Sequence, residues 1–356
     1  GQGHVVYNAS LGQSGNERSV LGQGASGAVV RNLAFVNIQG QERSGGIIAY
    51  GSGYTIDNCF MEMQYNGGNS TVASGNNPAG ILAGKVSGGA AVRNSIAVVT
   101  FSETPNFSVG AIAGKTEAGG LVEKSYAYVN LSEQTVLSTE NVGNTQNAEN
   151  CGVYTSAAQF AEMDRTDFDA DLWEFGTGVV PTFKNAKMKE LLAVTPTVNK
   201  TEMDIIVGER SKLEIGGKLY EITADAAGVT VSTDGWIDVA ATATPDTTAV
   251  VTIRSAFDPA RKVEVTVNVL AVPTNTYTLT FTKPSGDLFV GTAYDMPVAI
   301  TEDGTPLTTD AYEVVVTPSA HATYDKATGK LTINDSGSFT VEMRYLNAHH
   351  TETIES

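Results

Sequence analysis

The stretch Gly80-Ile-Leu-Ala-Gly84, followed by Ala91-Val-Arg-Asn-Ser-Ile96, decides the reading of this chain because it recurs. Before it stand Gly46-Ile-Ile-Ala-Tyr50 and Tyr54-Thr-Ile-Asp-Asn-Cys-Phe60; after it stand Gly110-Ala-Ile-Ala-Gly114 and Leu121-Val-Glu-Lys-Ser-Tyr126. A half-copy, Gly27-Ala-Val-Val-Arg-Asn-Leu33, comes earlier still, and the leading glycines lie 34 and 30 residues apart. Each unit holds a short apolar strand, a glycine-rich turn and an alternating strand such as Tyr126-Ala-Tyr-Val-Asn-Leu131. One unit has too little apolar surface to close a core. Like positions stacked about 4.8 Å per rung bury a continuous ladder and satisfy the strand hydrogen bonds. The pattern therefore predicts a short parallel β-helix, or solenoid. Its glycines suit tight corners, Ala49, Ala83 and Ala113 are expected as small inward residues, and Asn58 and Asn94 as a partial side-chain ladder broken by Lys124.

Residues 155–192 depart from the repeat. Ser156-Ala-Ala-Gln-Phe-Ala-Glu-Met163 reads as a short helical turn, and Met188-Lys-Glu-Leu-Leu192 as another. Phe168, Leu172, Trp173, Phe175 and Phe183 supply the bulk that a cap over the open end of a solenoid needs. After the polar linker Val194-Thr-Pro-Thr197 the strands become short and evenly spaced. In Lys262-Val-Glu-Val-Thr-Val-Asn-Val-Leu270, Val263, Val265, Val267 and Val269 alternate with polar residues, the signature of a half-buried strand. Turns such as Thr233-Asp-Gly235 and Glu302-Asp-Gly304 punctuate the series. Strands are expected at 204–207, 229–231, 236–239, 249–253 and 262–270, and again at 277–281, 296–300, 312–316, 330–333 and 338–345. That spacing predicts two β-sandwiches. The expected fold is all-β: a β-solenoid with aromatic C-terminal cap over 1–192, then sandwich domains over 193–271 and 272–356.

The repeat pattern, Gly-x-Ile/Leu-Ala-Gly, then Gly-Gly, then Val-x-Asn-Cys/Ser-Tyr/Phe, resembles the GLUG-motif repeats of bacterial surface proteins. The stretch Phe168-Asp-Ala-Asp-Leu-Trp-Glu-Phe-Gly-Thr-Gly-Val-Val-Pro-Thr-Phe183 is similar to the segment that follows such repeats. The resemblance covers roughly residues 22–185 and departs from pattern at Tyr50, where later copies have Gly84 and Gly114. Residues 193–271 are similar to the bacterial Ig-like domains of surface adhesins. These resemblances imply a secreted protein of the bacterial outer cell surface, from a Bacteroidetes-like host.

Composition narrows the partners. Charged residues are 17% of the chain and the net charge is −17. Residues 1–160 contribute about −3 and the rest about −14, and glycine falls from 25 to 12 across the same point. With no basic run, nucleic acid and anionic membrane surfaces are excluded as partners, since a phosphate backbone needs a Lys/Arg patch. No transmembrane segment is read. The chain opens in what reads as the middle of a repeat, so an export signal or lipid anchor is expected ahead of Gly1. Cys59 and Cys151 are the two cysteines; buried or unpaired thiols are the expectation, and a disulfide stays open.

A β-helix also supports polysaccharide lyases and hydrolases, which need clustered carboxylates. Between Gly1 and Thr155 the only aspartate is Asp57 and the only histidine His4. No catalytic, cofactor-binding or metal site is assigned. The densest acidic stretch, Glu162, Asp164, Asp167, Asp169 and Asp171, reads as a solvated cap surface rather than a calcium site; His349-His350 reads as a strand end. Tyr50, Tyr54, Tyr65, Tyr126 and Tyr128 are candidates for stacking on sugar rings, and the loops 66–77 and 102–107 for ligand contact. The expected protein is a monomeric, non-catalytic adhesin or display protein whose partner is a host or microbial glycan or protein. A carbohydrate-binding module of a glycan-use system is the alternative, and a β-helix lyase or hydrolase acting on uronate polymers is disfavoured.

Overall fold

The computed structural model describes residues 2–11, 18–40, 45–65, 79–101, 109–130 and 147–356. It forms two compact units: Gly1–Thr197 with Gly216–Glu221 and Ile253–Val263, and Val198–Ile215 with Ile222–Thr252 and Glu264–Ser356. Among the described residues no helix is long and apolar enough to cross a membrane.

In the first unit the repeats become successive turns of one coil. Its strands are β1 (His4–Tyr7), β2 (Gln23–Gly24), β3 (Val29–Arg31), β4 (Leu33–Gly40), β5 (Tyr50–Gly51), β6 (Thr55–Asp57), β7 (Phe60–Tyr65) and β8 (Ala83–Val86). They continue as β9 (Ala91–Arg93), β10 (Ile96–Phe101), β11 (Ala113–Thr116), β12 (Leu121–Glu123), β13 (Tyr126–Val129), β14 (Ala148–Glu149) and β15 (Gly152–Tyr154). A six-stranded sheet runs β1-β4-β7-β10-β13-β15 and a five-stranded sheet β3-β6-β9-β12-β14, every pairing parallel. The pairs β2–β5 and β8–β11 are parallel too. Because register is kept, like stacks on like. Val30, Ile56, Val92, Val122 and Ala148 form one inner column, and Ala83 sits directly on Ala113. The leading glycines are forced by this closeness: a Cβ on Gly46 would lie 1.8 Å from the Ile81 oxygen, and one on Gly80 2.2 Å from the Ala83 oxygen.

Each coil turns from the five-stranded to the six-stranded sheet through a single left-handed residue. These are Asn32 (φ 55°), Asn58 (48°), Asn94 (49°), Lys124 (42°) and Asn150 (51°). Asparagine is the non-glycine residue that tolerates this region best, so the asparagines recur because of backbone conformation. The expected side-chain ladder takes a different form: Asn58 and Asn94 do not bond each other but both donate to the Asp57 carboxylate, at 3.1 and 3.0 Å. Lys124 keeps the conformation without the amide.

Residues 155–192 were expected over the open end of the coil. They lie instead along its side, over the outer face of the six-stranded sheet. That face presents Phe60, Ile96, Tyr126 and Tyr154, whose apolar surface needs cover. The segment begins at the last coil, where the 3-10 turn Ala157–Glu162, closed by a Ser156/Gln159 capping box, sets Phe160 4.9 Å from Tyr154. It then passes Tyr126, which Phe168 meets at 6.3 Å, and Phe60, which Trp173 meets at 6.4 Å. A short antiparallel pair, β16 (Trp173–Glu174) and β17 (Thr182–Phe183), leads to helix α1 (Ala186–Leu192). Asn185, which caps α1, donates to the Gly3 carbonyl at 2.9 Å, back at the first strand. The segment is a strap rather than a lid.

The second unit holds most of the residues of the two sandwiches. The first has a four-stranded sheet in the order Glu202–Ile206, Lys262–Leu270, Thr247–Ser255, Tyr220–Ala224, and a three-stranded sheet of Arg210–Lys212, Trp236–Val239 and Val229–Val231. Val265, Val267 and Val269 are buried, as their alternation requires. The second has three three-stranded sheets around a core that includes Leu279, Met296, Leu331, Phe339, Val341 and Met343. The two sandwiches meet at a charged joint. Arg344 donates to the Arg210 carbonyl at 2.5 Å, lies 3.7 Å from Glu209 and binds Glu342 on its own strand. Glu313 receives Lys200 at 2.5 Å and the Ser211 hydroxyl at 2.7 Å. The Trp236 ring carries three cations, Arg210 at 4.3 Å, Lys212 at 5.1 Å and Arg344 at 5.3 Å.

Candidate functional site

Asp57, the one aspartate of the repeats, sits in a column of charged residues on the coil. Arg31, Asp57, Arg93, Glu123 and Glu149 fall in one column of the five-stranded sheet. Asp57, 6% exposed, takes Arg31 at 2.8 Å and Arg93 at 3.8 Å besides the two asparagine amides; Arg93 reaches Glu123 at 4.0 Å. In the acidic stretch, Asp164 and Asp167 both pair with Lys124. Bonds from Thr166 and from Lys124 hold the Asp164 carboxyl below its ordinary range, and the Asp167 bond raises the Lys124 ammonium. Asp169 accepts the Asp171 amide at 3.0 Å, a local turn. His4 lies exposed on β1. His349 and His350 are neighbours on Ala348–Glu355 and so point to opposite faces, one 3.8 Å from Glu209 and the other 3.1 Å from Glu352.

The tyrosine candidates do not survive as an exposed platform. Tyr54, Tyr65, Tyr126 and Tyr128 are buried, and only Tyr50 of the five is partly open. Tyr54 donates to the Lys85 carbonyl at 2.8 Å, and Tyr126 accepts the Asp164 amide at 2.8 Å. Residues 66–77 and 102–107 lie outside the described residues. The cysteines occupy equivalent corners of coils three rungs apart, about 14 Å at this spacing, and both are free. That separation exceeds the reach of a disulfide. Their thiols instead face carbonyls, Cys59 that of Asp57 at 3.4 Å and Cys151 that of Glu149 at 3.3 Å. Burial pushes them up to about 12 and about 11.

The open polar surface lies elsewhere. β4 carries a bulge between Phe35 and Ile38, one residue more than its neighbour β7. Asn37 takes the extra position at φ 58°, and Asn8 follows β1 at φ 59°. The two stand side by side, Asn37 Nδ2 donating to Asn8 Oδ1 at 2.8 Å. One column further, Gln39 Nε2 donates to Gln64 Oε1 at 3.1 Å. The bulge turns the Asn37 backbone amide away from the ladder, and buried Glu62 receives it at 2.6 Å. Lys218, from the segment Gly216–Glu221 of the same unit, binds Glu62 at 2.9 Å and the Asn37 side-chain oxygen. Asn8, Ala9, Ser10, Asn37, Gln39 and Lys218 line an open depression of about 480 Å³. Sequence reading passed over this shelf, though its trace is there: His4-Val-Val-Tyr-Asn8 and Leu33-Ala-Phe-Val-Asn37 carry asparagine at the same repeat position.

No family model matches the chain, and no curated protein matches it. Among solved structures, domains 5–6 of the S-layer protein SbsC are 16% identical over 45% of this chain and 95% of that one, with a TM-score of 0.21. The C-terminal 282-residue fragment of intimin, solved with the intimin-binding domain of its translocated receptor, is 17% identical over 46% of this chain and 63% of that one, TM-score 0.18. The first two extracellular domains of human mucin-like protocadherin are 15% identical over 45% and 95%, TM-score 0.18.

Proposed function

We propose that this chain is a non-catalytic adhesive or structural protein of the bacterial outer surface, acting outside the cell as a monomer. On this reading the coil is a GLUG-type display element and the two Ig-like sandwiches are its stem. One observation carries it: Asp57, the single aspartate of the repeats, is locked between Arg31 and Arg93 in a charge column. Of its neighbours there, Glu123 reaches Arg93 at 4.0 Å, so these charges serve coil-to-coil pairing. The ion-paired joint between the sandwiches, with Arg344 set between Glu209 and Glu342, supports the stem role.

The test is to incubate the chain with uronate and neutral polysaccharides, measuring product release, and in parallel to measure retention of chain-coated beads on glycan and protein surfaces. Retention without product is the expected result. Product that disappears in Asp57→Asn would restore the lyase or hydrolase reading. A second reading, a carbohydrate-binding module of a glycan-use system, is favoured by the amide-lined shelf.

A further inference from the structure

We propose that the shelf formed by Asn8, Ser10, Asn37, Gln39 and Lys218 is a binding site for a neutral, hydroxyl-rich saccharide. Its starting point is an irregularity. Through the rest of the six-stranded sheet the described pairings run in continuous register, and the shift falls at Phe35/Ile38. Bulges re-aim side chains and cluster beside functional sites. Here the result is two amide side chains, Asn8 and Asn37, held by their left-handed backbone and by each other. The Gln39–Gln64 pair extends the row.

The chemistry selects the ligand class. A side-chain amide carries two donors and an acceptor with two lone pairs, so one bond to a neighbour leaves others for a ligand. Vicinal hydroxyls, which donate and accept at fixed spacing, match such a row. Among the described residues the site holds one cation and one anion, Lys218 and Glu62, and these satisfy each other at 2.9 Å. A neutral ligand therefore costs no charge separation, whereas a uronate would have to compete with Glu62 for Lys218. Ala9 gives a small apolar floor for the C–H face of a sugar ring. The depression, about 480 Å³, falls in the range of about 300–1,000 Å³ usual for small-ligand sites. Pre-set amides reduce the ordering cost that weakens most polar sites.

The inference rests on the non-catalytic reading above: a saccharide held here is bound and not cut. The 356-residue chain is titrated calorimetrically with neutral oligosaccharides of glucan, mannan, galactan and xylan type, and with an oligouronate. Asn8→Gly, which keeps the backbone conformation, and Gln39→Ala are run beside it. Saturable binding of a neutral oligosaccharide, weakened about tenfold in each variant, is the expected result. Three results would overturn the site: no neutral ligand bound at about 1 mM, affinity unchanged in both variants, or binding of the oligouronate alone. Product release in the same samples would overturn the non-catalytic reading instead, and it is scored separately from binding.

Discussion

The indole nitrogen of Trp173 donates to the side-chain oxygen of Asn58 at 3.0 Å, across 115 positions of sequence. The same oxygen accepts the Asp169 amide at 3.0 Å, so the strap is fastened to a corner of the coil, at a residue already fixed by its left-handed backbone. Trp173 also meets Phe183 at 4.7 Å and Phe168 at 5.4 Å and is 1% exposed. Trp173→Ala should therefore cost about 3–5 kcal/mol, read as loss of hydrogen-exchange protection along the six-stranded sheet. Trp173→Phe, which keeps a ring and loses the bond, should cost less. Protection unchanged in Trp173→Ala would mean the strap adds little.

The thiols make stability fall in alkali. Cys59 stands at about 12 and Cys151 at about 11 against an ordinary 9.0, chiefly because burial opposes the thiolate. An unfolded thiol releases its proton near pH 9 while the folded one keeps it. Their contribution is thus full below pH 9 and is lost as pH rises through 11 to 12, by at most about 1.4 kcal/mol per pH unit for each thiol. Denaturant unfolding of the chain and of Cys59→Ala should give curves that converge between pH 9 and 11. Parallel curves would contradict the assignment. Mass spectrometry should show no disulfide.

How much of this was legible depends on what each residue is there to do. The repeat was readable because stacked columns demand like residues, as Val30, Ile56, Val92 and Val122 show. Lys262–Leu270 was readable because one face is core. The strap was not, since Phe168, Trp173 and Phe183 announce bulk but not which surface they cover. The strand Ala348–Glu355 was missed because it needs little beyond backbone: it pairs with Ser338–Tyr345 throughout, while only Ala348 and Ile354 are buried. In the shelf, Asn8 and Asn37 form a matched pair, but Lys218 reaches Asn37 from 181 residues away, and no local pattern marks it.

The corner residues give a test that separates backbone from side chain. Asn94 holds φ 49° and donates to Asp57 at 3.0 Å. Asn94→Gly loses only the hydrogen bond to a carboxylate, about 1.5–3 kcal/mol. Asn94→Ala loses the bond and keeps a Cβ in the left-handed region, about 1–2 kcal/mol more. Chemical denaturation should rank wild type above Gly and Gly above Ala. Equal midpoints for the two variants would show that conformation does not select asparagine here.

At the sandwich joint the decisive group is Arg344, whose side chain is only 10% exposed and faces Glu209 at 3.7 Å, Glu342 and the Trp236 ring. Removing it leaves two carboxylates short of a cation in a partly desolvated place, so the loss exceeds that of a surface pair. Arg344→Ala should lower the stability of the second unit by about 2–3 kcal/mol, read from exchange at the amides of Ser338–Tyr345. Salt provides the control. From about 0.05 to about 1 M NaCl the screening length shrinks several-fold, which should loosen the wild-type joint and change Arg344→Met little. Small-angle scattering of the whole chain would register that loosening as a broader distance distribution. If the wild type and Arg344→Met respond alike to salt, the joint is held by packing around Trp236 and not by charge.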